Sequence, residues 1–184
     1  MKRVWVGLLI LAGVAAVVGV LHHRYGRLGR LGMAEGPLAH ARSEFTFAVQ
    51  APMAEAFPLF GPEGERRWSG PTWDPQFVYP VPAKDVEGAV FRIRHGHHMA
   101  TWVNTAFDPE SGHAAYVYVI DGMLATRIDV QLSPVDVATT RVRVMYERTA
   151  LSPSVNPDVT EMAQKDAKMG PEWERAIGEY LKGR

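Results

Sequence analysis

The pattern of apolar and polar positions divides this chain into three parts. The first 23 residues contain one apolar run, VWVGLLILAGVAAVVGVL, from Val4 to Leu21, without a charged side chain. Residues 24–42 combine glycines and a proline with basic side chains, a composition typical of a linker. Residues 43–184 alternate short apolar-and-polar segments with turn residues, which indicates one folded domain of ordinary size.

Alternation with a period of two predicts the strands of this domain. We predict strands over Ser43–Gln50, Phe77–Tyr79, Val90–Arg94, Ala100–Phe107, Ala114–Ile120, Ala125–Leu132 and Thr139–Arg148. The later strands are joined by short turns such as Asp121-Gly122, a strong signal for a tight hairpin. Neighbours in sequence are therefore expected to pair as antiparallel neighbours in one sheet.

Helical spacing occurs at three places. We predict a short helix over Met53–Phe60, a second helical turn within 61–70, and a long helix that starts at Asn156 as its N-cap. The long helix carries one apolar stripe, formed by Met162, Met169, Trp173, Ile177 and Tyr180. Gly170-Pro171 is expected to bend or interrupt it.

This order of elements predicts an α+β fold with a ligand cavity. About seven antiparallel strands form a curved sheet, and only the C-terminal helix is long enough to cover one face of it. A curved sheet wrapped on a single helix encloses space between them, and such enclosed space is where small molecules bind.

The apolar run predicts a transmembrane anchor. Its 18 residues would span about 27 Å as a helix, close to the roughly 30 Å hydrocarbon core of a bilayer. A cleaved signal peptide is the alternative, but its apolar stretch is usually about 7–15 residues long, and no suitable cleavage site follows Leu21. We expect residues 1–23 to form an uncleaved single-pass anchor in a bacterial inner membrane; the flanking charges leave its orientation open.

Charge and composition narrow the function. All 20 acidic residues lie from Glu35 onward, together with 15 of the 20 basic residues, so this part of the chain has a net charge of −5. An acidic domain lacks the excess of basic side chains that binds a phosphate backbone, and nucleic acid is therefore excluded as a partner. The absence of cysteine excludes disulfides, thiol catalysis and thiolate metal sites.

The domain resembles a known superfamily. The stretch from Phe57 to Trp68, FPLFGPEGERRW, and the following Trp73-Asp74-Pro75 are similar to the segment that bacterial START-like proteins carry after their first strand. These proteins, and the related birch-pollen-allergen-like proteins, form the SRPBCC superfamily with its helix-grip fold. The resemblance implies a hydrophobic cavity. It transfers no catalytic residue, because the superfamily includes lipid carriers, other ligand binders, cyclases and oxygenase domains.

Two polar features are candidates for chemistry. His95 and His97 lie in the run HGHH and would share a side if their strand continued, although no third metal ligand is evident. We therefore predict no metal site and no cofactor, and expect the run to be a polar hairpin tip or a ligand contact. Asp166 falls on the apolar stripe of the last helix, where a carboxylate needs a partner or a raised pKa. It would face the cavity or pair with a strand arginine such as Arg148.

Aromatic residues complete the predicted pocket, because phenol and indole rings offer apolar area with one hydrogen-bonding end. With the two histidines and Asp166, the predicted pocket residues are Trp68, Trp73, Trp102, Tyr116, Tyr118, Tyr146, Met169 and Trp173. Ordinary core packing is the alternative for each aromatic residue.

The sequence thus favours a membrane-anchored domain that binds a small hydrophobic or lipid-like molecule in an internal cavity. The first alternative is an enzyme of the cyclase, dehydratase or hydrolase type, with Asp166 or a histidine in proton transfer. The second is a module that binds a partner protein. The sequence identifies neither the ligand nor any protein partner.

Overall fold

A computed structural model describes residues 37–184 of the chain. Its centre is a seven-stranded antiparallel sheet with the spatial order β1-β7-β6-β5-β4-β3-β2. The strands are β1 His40–Val49, β2 Gln76–Tyr79, β3 Val90–His95, β4 His98–Asp108, β5 His113–Ile120, β6 Leu124–Pro134 and β7 Thr140–Ala150. Each predicted strand is present, and most extend one to three residues further than the alternation indicated.

The helices lie before β2 and after β7. They are α1 Met53–Ala56, α2 Pro62–Glu65, α3 Asn156–Asp166 and α4 Gly170–Lys182, with 3₁₀ turns over Phe57–Phe60 and Pro153–Val155. The predicted long helix is therefore two helices. The break covers residues 167–169, just before Gly170-Pro171, because proline is well suited to the first turn of a new helix.

One predicted helix cap is wrong. Asn156 is the first residue of α3, and its side chain does not cap that helix. Instead, its Oδ1 atom accepts a hydrogen bond from the backbone nitrogen of Ala39 at 2.7 Å, and its Nδ2 atom donates to the carbonyl oxygen of Pro37 at 3.0 Å. Asn156 thus fixes the chain just before β1 to the start of α3.

The C-terminal helices cover only part of the sheet. Helix α3 packs on β1 and β7, and α4 packs on β1. Within the core, Trp173 of α4 meets Phe45 and Phe47 of β1 at ring-centroid distances of 5.3 and 6.2 Å. The concave face of β3–β5 is left to the segment that follows β1, and a cavity remains between them.

The predicted anchor lies outside the described residues. Within residues 37–184, no helix combines the length and apolar character that crossing a bilayer would take.

Candidate functional site: an aromatic cavity with two polar clusters

A cavity of about 460 Å³ lies between the sheet, the C-terminal helices and the segment between β1 and β2. Ten of the eleven predicted pocket residues line it: Trp68, Trp73, His95, Trp102, Tyr116, Tyr118, Tyr146, Asp166, Met169 and Trp173. They come together because strand alternation turns the sheet residues to one face, while the apolar stripe turns Met169 and Trp173 toward that face.

His97 is the exception, because it is not among the residues that line this cavity. Strand β3 ends at His95, which pairs directly with His98, so Gly96 and His97 form a two-residue turn. Gly96 has a φ of 61°, a conformation that glycine adopts without steric cost. The chain reverses before His97 can share a face with His95, and the His97 side chain is exposed.

Aromatic rings form most of the wall. Trp102 stacks on Tyr118 with ring centroids 4.2 Å apart, and Trp68 meets Trp173 edge-on at 5.1 Å. Trp73 meets Trp102 edge-on at 5.4 Å. Such a wall offers a large apolar area to a ligand and little freedom to collapse, because the rings support one another.

A first polar cluster, which we call the arginine cluster, is centred on Arg148 of β7. Its guanidinium donates to both carboxylate oxygens of Asp166, from Nε at 2.8 Å and from Nη2 at 3.0 Å. Its Nη1 atom donates to the Tyr118 hydroxyl at 2.7 Å and to the Thr126 hydroxyl at 3.1 Å. The Ser43 hydroxyl donates to Asp166 at 3.3 Å.

The arginine cluster is satisfied internally. Arg148 and Asp166 are buried, and a two-point ion pair is the arrangement that makes such burial tolerable. Burial alone would lower the pKa of Arg148, yet Tyr118 and Asp166 outweigh it and raise that pKa above its ordinary value. The sequence left open whether Asp166 faces the cavity or pairs with a strand arginine. Its carboxylate is occupied by the ion pair with Arg148.

His95 lies beside this cluster. Its ring stacks against Tyr118 at 5.8 Å and Trp102 at 6.1 Å, and its buried Nε2 atom has no hydrogen-bond partner among the described residues. Burial, with the nearby charge of Arg148, lowers the pKa of His95 to about 4. The imidazole is therefore neutral near pH 7.

A second polar group enters the cavity from α2. Gly64 allows α2 to approach the preceding turn, because a Cβ atom at that position would lie 1.8 Å from the carbonyl oxygen of Pro58. The Asp85 carboxylate accepts from the backbone nitrogens of Glu63 and Gly64 at 2.9 and 3.2 Å, which caps the helix. These contacts fix the backbone that carries Glu65.

Two tryptophans hold the same segment from the other side. The indole nitrogen of Trp68 donates to the carbonyl oxygen of Leu59, and that of Trp73 donates to the carbonyl oxygen of Pro62, both at 2.8 Å. The backbone around α2 is therefore pinned by the same rings that line the cavity.

Glu65 is 9% exposed and lines the cavity, yet its carboxyl group has no hydrogen-bond partner among residues 37–184. Burial, together with the nearby charge of Asp85, raises the pKa of Glu65 well above its ordinary value. The nearby Tyr116 hydroxyl donates to the carbonyl oxygen of Phe60 and not to Glu65.

The rim of the cavity is mainly basic. Arg94 on β3 and Lys168 in the α3–α4 break are exposed, while Lys165 forms an ion pair with Glu161 at 2.7 Å. Glu172 is the acidic residue of this rim.

Sequence reasoning missed Glu65 and Arg148 as pocket residues. For Arg148 a signal existed, because the alternation of β7 places it on the same inward face as Val144 and Tyr146. For Glu65 there was none, since a helix of four residues has no periodicity from which to read a buried face. No group of three or more His, Asp or Glu side chains within residues 37–184 is arranged to hold a metal ion.

Comparison with known proteins identifies the fold. No family model matches the chain, and no curated protein matches it. Solved structures do. Norcoclaurine synthase from Thalictrum flavum aligns with a TM-score of 0.57 at 10% identity, over 86% of this chain and 99% of that one.

Two other structures are similar. The Zhui aromatase/cyclase from Streptomyces sp. R1128 aligns with a TM-score of 0.57 at 14% identity, over 78% of this chain and 95% of that one. Ara h 8.0201 aligns with a TM-score of 0.53 at 15% identity, over 79% of this chain and 100% of that one. The domain therefore shares the helix-grip fold of these solved structures, the fold that the sequence resemblance implied.

Proposed function

We propose that this domain binds one small apolar or amphipathic molecule inside the cavity. The observation that carries the proposal is the aromatic-walled space of about 460 Å³, within the roughly 300–1,000 Å³ of ligand pockets in general. Each Å² of apolar ligand surface buried there contributes about 25 cal/mol to binding. One similar structure, norcoclaurine synthase, was solved in complex with dopamine and hydroxybenzaldehyde, which supports an aromatic small molecule as the kind of occupant.

The test is direct detection of the occupant. The full chain is purified in mild detergent and examined by native mass spectrometry, and its organic extract is analysed beside that of a variant in which Ala176, on the cavity wall, is replaced by Trp. A bound small molecule that is depleted in Ala176→Trp supports the proposal. An empty wild-type chain that also fails to bind added naphthalene-type hydrocarbons contradicts it.

We further propose that residues 4–21 tether the domain to a membrane. The support is the uncharged run itself. Strand β1 begins at the same end of the sheet as the turn that follows β3. The strand pairings show this, because His40 lies opposite Thr149 of β7 and, followed from strand to strand across the sheet, in line with Arg92 near the end of β3. A tether would therefore hold that end near the lipid. Membrane fractionation followed by carbonate extraction tests the tether, and release of the intact chain into the soluble fraction would exclude it.

Chemistry on the bound molecule is a second candidate function, favoured by one observation. Glu65 and the neutral imidazole of His95 both line the cavity, and groups of this kind transfer protons when a substrate lies between them. Once a ligand that is turned over is found, Glu65→Gln and His95→Gln are expected to slow turnover, whereas His97→Ala is not. Equal turnover in all three variants would exclude this role.

A further inference from the structure

The polar groups of the cavity wall are mainly hydrogen-bond donors. Tyr118 accepts from Arg148 and keeps its own hydroxyl hydrogen, and Tyr146 has no side-chain hydrogen bond within residues 37–184. The indole nitrogen of Trp102, which can only donate, is also unpaired among those residues. The strongest acceptor, Asp166, is occupied by Arg148 and Ser43. Apart from the His95 imidazole, whose Nε2 atom donates or accepts according to its tautomer, these groups favour a ligand that supplies acceptors.

Glu65 brings a buried carboxyl group without a hydrogen-bond partner among residues 37–184 to the cavity wall. Its backbone is held by the close approach at Gly64, by Asp85 and by the indole hydrogen bonds of Trp68 and Trp73, so the point from which the side chain enters the cavity is fixed. Among residues 37–184 no cation forms an ion pair with Glu65, and the guanidinium of Arg148 is paired with Asp166. A carboxyl group held in an apolar wall without a cation favours its neutral, donating form.

We propose that the Glu65 carboxyl donates a hydrogen bond to a carbonyl oxygen of the ligand, and that the cavity takes uncharged aromatic ketones, enones or quinones. This inference rests on the proposed ligand-binding function and specifies its chemistry. A cationic amine is the competing occupant, because an unpaired carboxyl surrounded by aromatic rings also suits an ammonium group. The basic rim, Arg94 and Lys168 above all, opposes the entry of such a cation.

The experiment compares three probes of similar shape: 2-methyl-1,4-naphthoquinone, 2-methylnaphthalene, and a naphthylmethylammonium salt. Binding to the full chain in lipid nanodiscs is measured by calorimetry at mildly acidic pH. Each probe is compared between variants in identical nanodiscs, so partitioning of the probe into lipid cancels.

Two substitutions separate donation from shape. Glu65→Met keeps the side-chain length but removes the donor, and we expect it to weaken quinone binding about tenfold while the hydrocarbon changes less than about twofold. Glu65→Gln keeps a donor in its amide group, and we expect quinone binding within about threefold of wild type. Glu63→Met is the matched control, because Glu63 lies in the same short helix but pairs with Arg66 outside the cavity.

Each outcome decides the matter. Equal quinone binding in wild type and Glu65→Met overturns the inference, while hydrocarbon binding would leave the proposed function standing. Tighter binding of the ammonium probe than of the quinone, lost in Glu65→Gln, also overturns it in favour of an amine ligand. Failure of all three probes to bind wild type removes the proposed function and this inference with it.

Discussion

On one part of the cavity wall, Arg148 meets Asp166 at 2.8 and 3.0 Å, whereas on another the Glu65 carboxyl has no hydrogen-bond partner within residues 37–184. Both parts bury an ionisable group among aromatic rings. The arginine cluster keeps its charges by pairing them, and Glu65 instead favours its neutral form. The difference separates a group that joins sheet to helix from a group that is left available to a ligand.

The largest effect is expected from breaking the ion pair. Asp166→Ala leaves the Arg148 guanidinium buried without its partner, and we expect a loss of about 3–5 kcal/mol in the free energy of unfolding. Urea denaturation followed by tryptophan fluorescence measures it. The double variant Arg148→Met/Asp166→Leu removes both charges and should recover most of the loss. A cost below about 1 kcal/mol for Asp166→Ala would mean that the pair does not join α3 to the sheet.

The second-largest effect is expected when the pH is lowered. The pKa of His95 falls from 6.5 to about 4 on folding, so the unfolded chain binds the proton more readily. The stability due to neutral His95 is present above pH 6.5 and is lost as the pH falls toward 4, up to about 3 kcal/mol. His95→Phe, compared with wild type across that range, should show a flatter dependence of unfolding free energy on pH. Parallel curves for the two proteins would contradict this account.

A third test displaces Glu65 without changing it. Gly64→Ala places a methyl group against the carbonyl oxygen of Pro58, and the backbone of α2 must shift to admit it. We expect a loss of about 1–3 kcal/mol in the free energy of unfolding, and weaker ligand binding as well, because Glu65 moves with α2. Gly178→Ala in α4 is the control, since a Cβ atom there meets nothing within 4 Å. Equal stability of both variants would show that the close approach is not required.

The smallest effect is expected from Glu65→Gln without ligand. Because the pKa of Glu65 is raised in the folded domain, its stabilising contribution is greatest below the ordinary pKa of 4.5 and is lost as the pH rises through the folded-state value. The variant should therefore match wild type in acid and become the more stable of the two at higher pH. Thermal unfolding across pH measures this, and a variant that is less stable than wild type at pH 7 would indicate an ionised, stabilised Glu65.

The fold was predictable because its strands are local patterns. Alternation located β1 to β7 within a few residues, and one apolar stripe located both C-terminal helices. The errors arose where contacts between distant residues outweigh local preference. Asn156 bonds to Ala39 across 117 positions and so does not act as a helix cap.

The site was predictable in its apolar part and less so in its polar part. The alternation of each strand shows which aromatic residues lie on the inward face, and a cavity on that face is lined by them. The place of Glu65 on the cavity wall depends on contacts that Gly64, Asp85 and two tryptophans make around a helix of four residues. No residue spacing in the sequence predicts those contacts. The exclusion of His97 depends on a single turn residue, Gly96.

The strand order has a consequence for synthesis on the ribosome. Within residues 37–184, strand β1 pairs only with β7, and the Arg143 guanidinium donates to the Glu44 carboxylate at 2.7 Å across 99 positions. The first of these seven strands to leave the ribosome therefore stays unpaired, with one apolar face uncovered, until the last of them, β7, has been translated. A nascent chain stalled before Thr140 would have an unpaired β1 and no arginine cluster, so any ligand pulled down with such a chain cannot be held by the finished cavity.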